Sequence, residues 1–190
     1  YIFGLLLGDG SLPKSNDGCR KRYMINFYSN DKEFIYEIYL PLFKDLFNLV
    51  PWIELRNKKY SILYAARIES RILYEYFENI GFTTGRKAKI ANLPKLPKKY
   101  HCDLLAGLLD TDGGKKGNGF GLSTASRHLG SFCEDVFSEL NFNYNSCPWN
   151  YKGHIYHQIY VPGSEMHKLL SHITIKNKNK IKFIKSKLPR

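Results

Sequence analysis

Two carboxylates stand out among the residues able to do chemistry. Asp9 and Asp112 lie 103 positions apart, and each is followed by glycine at the end of a short, leucine-rich stretch: Gly4-Leu5-Leu6-Leu7-Gly8-Asp9-Gly10 and Gly107-Leu108-Leu109-Asp110-Thr111-Asp112-Gly113. Read as helices, both stretches end in an acid, although the negative end of a helix dipole disfavours a carboxylate by a few tenths to about 1 kcal/mol. Something should compensate the charge, and a divalent cation would do so. A single Asp-Gly after a helix is most simply a turn, with glycine supplying a left-handed conformation. Two copies at equivalent places of two similar halves reverse that preference. Gly4 and Gly8 in one helix, and Ala106 and Gly107 in the other, leave little bulk on one face, so the two helices could pack closely side by side. Asp9 and Asp112 would then emerge together as hard oxygen ligands suited to Mg²⁺, with phosphate and water completing its shell, the arrangement of metal-assisted phosphodiester hydrolysis.

The elements that must position these acids repeat as well. After each acidic stretch comes an alternating run, Arg22 to Ser29 in the first half, where Tyr23, Ile25 and Phe27 share a face, and Gly119 to Thr124 in the second. A helix follows in each half. Asn30 or Asp31 can cap the first, in which Pro41 should cause a kink, and Ser126 can cap the second. Two strands come next, Pro51 to Arg56 with Tyr60 to Ile68, and Asn143 to Asn150 with Ile155 to Val161. A last helix closes each half, Ser70 to Ile80 and Ser164 to Ile173, and Lys87-Ala88-Lys89-Ile90 is echoed by Lys178-Asn179-Lys180-Ile181. The expected fold is therefore α+β, with duplicated αββαββα halves over 1–82 and 101–190 and a Lys- and Pro-rich linker over 83–100.

The chain has 190 residues and an excess of 29 Lys plus Arg over 17 Asp plus Glu, giving a formal charge of +12. That excess favours a polyanionic partner. No apolar run is long enough for a membrane span and no signal peptide is recognisable, so an intracellular protein without membrane attachment is expected. Cys19, Cys102, Cys133 and Cys147 lack the paired spacing of a zinc site and read as reduced, mostly buried thiols. His154 and His157, without nearby acidic or Cys partners, read as packing residues.

Leu105-Ala106-Gly107-Leu108-Leu109-Asp110-Thr111-Asp112-Gly113 resembles the signature of the LAGLIDADG homing endonucleases, with conservative departures only. Ile2 to Gly10 is a looser copy that has Leu7 in place of the first acid but keeps the final Asp-Gly. The resemblance spans essentially the whole chain and is to the two-motif, monomeric type. It implies a pseudo-two-fold saddle in which two four-stranded antiparallel sheets straddle double-stranded DNA around paired motif helices. It also implies site-specific double-strand cleavage of a long asymmetric target with Mg²⁺, Mn²⁺ being an alternative and Ca²⁺ a non-catalytic substitute. Asp9 and Asp112 would be metal ligands and catalytic residues. A lysine beside each acid would be Lys87 and Lys178, with Lys89 and Lys180 as rivals. Outward sheet residues expected at the DNA are Arg22, Tyr28, Arg56, Arg67, Tyr156 and Gln158, since Arg and Gln can make bidentate contacts to guanine and adenine. In the last strand Ile155, His157, Ile159 and Val161 should face inward. The alternative function is an intron RNA maturase on the same fold. The chain lacks a recognisable splicing module, leaving an intron-encoded protein or an excised intein domain as its origin.

Overall fold

The computed structural model describes residues 1–16, 21–58, 61–82 and 92–188. Its centre is a pair of short helices, α1 (Ile2–Asp9) and α4 (His101–Thr111), packed against each other. Their small residues allow this. A methyl group at Gly4 would sit 2.1 Å from the Leu104 carbonyl oxygen and 2.8 Å from the Leu108 nitrogen, and one at Gly107 would sit 2.3 Å from the Tyr1 oxygen and 2.8 Å from the Leu5 nitrogen. These contacts are reciprocal: Tyr1, Gly4 and Leu5 correspond to Leu104, Gly107 and Leu108 under the 103-residue repeat. The helices cross backbone against backbone on a pseudo-two-fold axis. Their leucines are buried on both sides of this seam and join the core.

Each half adds an antiparallel sheet. In the first, β1 (Gly10–Ser11), β3 (Lys21–Ser29), β5 (Ser61–Glu69) and β4 (Trp52–Lys58) lie in the order β1-β3-β5-β4, and β2 (Lys14–Asn16) also pairs with β3. In the second, β6 (Gly114–Lys116), β7 (Gly119–Thr124), β9 (His154–Val161) and β8 (Asn145–Tyr151) follow the same order, β6-β7-β9-β8. Side chains paired across antiparallel strands share a face. Helices α2 (Leu40–Phe47), α3 (Arg71–Asn79), α5 (Arg127–Glu139) and α6 (Met166–His172) complete the two halves, leaving the opposite face of each sheet open. Among the described residues no helix is long and apolar enough to cross a membrane.

Local chemistry explains the helix starts. Ser70 and Ser126 accept hydrogen bonds from the Leu73 and Leu129 amides, and Asp31 Oδ1 accepts from the Phe34 amide, each satisfying an otherwise orphaned first-turn donor. Pro41 does more than kink its helix: residues 34–39 form a π-helical stretch before α2 begins. Proline has no N–H for the usual i→i−4 bond, and the wider turn accommodates that loss.

Several expectations are corrected. Gly10 is extended (φ −90°, ψ 167°), and neither Gly10 nor Gly113 has positive φ. The need for glycine there is steric, because a methyl group would lie 2.4 Å from the Leu6 oxygen or 2.2 Å from the Leu109 oxygen. The chain turns back tightly over the end of its own helix. Ile155 is 63% exposed, unlike the buried Ile159 and Val161, since the β8–β9 hairpin extends beyond the core. Cys133 is buried, but Cys147 is exposed on β8 and Cys102 is half-buried; Cys19 lies outside the described residues. Finally, the lysine-rich tail contains a further helix, α7 (Lys178–Lys185), capped by the Asn177 side chain, which accepts from the Asn179 and Lys180 amides.

Candidate nuclease site

The paired helices deliver Asp9 and Asp112 to the same end of the seam, and both are exposed. A methyl group at Gly8 would stand 3.4 Å from Asp112 Oδ2, so the carboxylate of one helix lies beside the last turn of the other. Among the described residues no three His, Cys, Asp or Glu side chains converge as a ready-made metal cage. Two hard carboxylates open to solvent fit Mg²⁺, which keeps much of its coordination for water and substrate phosphate.

Among the described residues, Lys180 is a cation that feels both acids. From α7 its Nζ donates to the Leu109 oxygen at 2.9 Å and the Thr111 oxygen at 2.6 Å, capping the negative end of α4. Burial pushes its pKa down to about 8, against the opposing pull of Asp110, Asp9 and Asp112. The charge that the helix ends demand is thus supplied in part by the protein itself. Lys178 is placed elsewhere: its Nζ reaches Glu37 at 2.7 Å and Glu33 at 3.3 Å. Lys87 and Lys89 fall outside the described residues.

Asp110, the first acid of the second motif, holds α7 in place. It is buried, and its carboxylate accepts from the Lys176 amide at 2.8 Å, the Asn177 amide at 3.0 Å and the Tyr1 hydroxyl. Burial raises its pKa, although all three hydrogen bonds favour the charged form. Lys180 therefore reaches the seam through a chain of fixed contacts: Asp110 to the Asn177 backbone, and Asn177 to the first turn of α7. The sequence carried a signal for this helix in Asn177 followed by Ile181 and Ile184, but the density of lysines hid it.

The expected DNA-facing residues divide by location. Tyr28 and Arg56 line a cleft with Asp9, and the Arg56 guanidinium lies 5.8 Å from the centre of the Tyr28 ring. Arg56 and Arg67 both pair with Glu54, at 2.9 Å and 2.7 Å. Arg22 is opposite Ser15 in the β2–β3 pairing. In the second sheet Gln158 is flanked by Ser123 and Cys147, and Tyr156 is opposite Trp149. Among the described residues, three buried polar atoms have no hydrogen-bond partner: Asn26 Oδ1, Arg67 Nε and Ser123 Oγ. By register Asn26 and Arg67 share the open face of the first sheet, and Ser123 shares that of the second with Gln158. Asn26 was not anticipated from sequence, because it sits in an apolar run and its importance depends on Arg67 across the strand.

Antiparallel sheets around a glycine-crossed helix pair, with an acid at each helix end, define the LAGLIDADG class of fold. The profile of the LAGLIDADG-like domain matches residues 1–81. A solved structure of mesophilic variants of the homing endonuclease I-DmoI superimposes with a TM-score of 0.70 at 17% identity, covering 94% of this chain and 96% of that one. I-DmoI in complex with DNA and Mn gives a TM-score of 0.68 at 19% identity, covering 91% and 93%. The homing endonuclease I-WcaI bound to its DNA recognition sequence gives 0.56 at 17%, covering 95% and 83%. No curated protein matches the chain by sequence. The sequence match thus covers the first part of the chain, and the likeness of fold to these homing endonucleases covers nearly all of it.

Proposed function

We propose that this protein is a site-specific, metal-dependent endonuclease that cuts both strands of a long asymmetric DNA duplex as a monomer. The observation that carries the reading is the convergence of Asp9 and Asp112 at one end of the helix seam, between two open sheet faces. The halves 1–82 and 101–190, joined through 83–100, are its working units, one for each half of the target. The similar proteins solved with DNA, some also with Mn or Ca, support the choice of substrate and the use of a divalent ion.

Asp9 and Asp112 would hold the ion, Mg²⁺ in the first instance. When bound, it supplies a Lewis acid beside the scissile phosphate. The chain's own residues do the rest. The carboxylates fix where a phosphate can sit, and Tyr28 and Arg56 border the approach to Asp9. Lys180, held on the last carbonyls of α4 with its pKa lowered by burial, would offer a cation or a proton carrier at the site. We assign Lys180 this role in place of Lys178, which Glu33 and Glu37 engage.

Replacing Asp112 with Asn keeps the shape of the site and removes one charge. In a plasmid assay with Mg²⁺, double-strand cleavage should disappear while binding of the target persists; a variant that still linearises the plasmid contradicts the proposal. An RNA maturase without nuclease activity would instead bind intron RNA and leave all duplexes intact.

A further inference from the structure

The two open sheet faces differ in chemistry. In the second half, β7, β8 and β9 contain no Asp, Glu, Lys or Arg. By register their open face carries Ser123, Gln158 and an aromatic group at the outer end. That group is Trp149, with ring centroids 5.3 Å from Tyr151 and 5.8 Å from Tyr156. Trp149 and Tyr151 are 47% and 46% exposed. The first half is charged at the same level. Arg67, Glu54 and Arg56 share its open face, with Glu54 bridging the two guanidinium groups.

We propose that the DNA target is bipartite in composition, with the base pairs under the first sheet read as G·C and those under the second read as A·T. This rests on the endonuclease reading above and adds the identity of the half-sites. In the major groove guanine offers two acceptors that fit an arginine fork, and cytosine offers an amino donor to a carboxylate. Arg67, Arg56 and Glu54 provide both partners in a preformed array. Among the described residues, Arg67 Nε and the facing Asn26 Oδ1 are buried without hydrogen-bond partners, and such groups are costly to leave unmade.

The second sheet has no arginine fork and no carboxylate; its charges, Lys115 and Lys116, lie on the short edge strand β6, away from β8 and β9. The Gln158 amide matches the N6 and N7 edge of adenine, and the apolar rings of Trp149 and Tyr156 suit the thymine methyl group. Ser123, whose Oγ is buried without a partner among the described residues, lies opposite Gln158. With no charge on these strands, this half-site is distinguished by shape and methyl contacts.

The test is selection of bound duplexes from a randomised pool by the intact protein in EDTA, repeated with Arg67→Ala and Gln158→Ala after thermal melts establish that both are folded. The enriched sites should be G·C-rich in one half and A·T-rich in the other. Arg67→Ala should relax base preference only in the first, and Gln158→Ala only in the second, by about tenfold to a hundredfold at one position. Guanine requirements in the half relaxed by Gln158→Ala, or equal composition in both halves, overturn the inference. Bipartite sites that are bound but never cut on adding Mg²⁺ sink the endonuclease reading alone, and failure to enrich any duplex sinks both.

Discussion

Lys180 shows how a residue's neighbours set its chemistry. With a pKa of about 8 in the folded protein and about 10.4 as an ordinary lysine, it has lost its proton in the folded state while the unfolded chain still holds one across that window. Stability should therefore rise with pH from about 8 to about 10, as the cost of the buried charge disappears. Urea unfolding at pH 7.5 and 9.5 should show the rise for the wild type and a flatter response for Lys180→Met. Asp110 acts by accepting hydrogen bonds. Alanine there strands two backbone amides and the Tyr1 hydroxyl, which should lower stability by about 2–4 kcal/mol in the same assay. The meeting of Asp9 and Asp112 at one end of the seam was legible from sequence because the motif occurs twice. Lys178 and Lys180, two residues apart, are told apart only by what each one meets: carbonyl oxygens at the seam for Lys180, Glu33 and Glu37 for Lys178.

At the level of elements, periodicity revealed most helices and strands, because apolar spacing alone separates α5 from β9. It failed where a long-range contact decides the outcome. The start of α7 depends on the Asp110 clip. The seam is the most demanding element. Alanine at Gly4 must push its methyl group into the Leu104 carbonyl, 2.1 Å away, and neither backbone can yield without separating the helices. We expect Gly4→Ala and Gly107→Ala each to lose at least about 3 kcal/mol of stability, more than ordinary overpacking costs, as read by the denaturant midpoint. Cleavage should fall with them even though both acids are retained.

Across the whole molecule, the halves are joined by polar contacts as well as by the seam. Lys178 pairs with Glu33 and Glu37, and the Asn179 side-chain Nδ2 donates to Asp31 Oδ2 at 3.1 Å. These pairs are exposed, so their net contribution to stability is small. Changing both Glu33 and Glu37 to Gln should leave the unfolding midpoint nearly unmoved, yet free Lys178 for phosphate. Binding to non-specific duplex should tighten at low salt, with the slope of log affinity against log salt steepening by about 0.9. None of this was visible in the sequence, where Lys178 and Glu37 are remote, whereas the duplication that sets the global plan was. The glycine crossing also acts as a ruler. Sliding the helices by one step would put Leu5 or Leu108 into a gap that admits no side chain, so the seam has one register. The spacing of Asp9 from Asp112 follows from it. If each acid serves one strand, the stagger between the two breaks is set by a backbone contact five residues away from either carboxylate. It should then be the same on every target the protein accepts, whatever bases lie beneath the sheets.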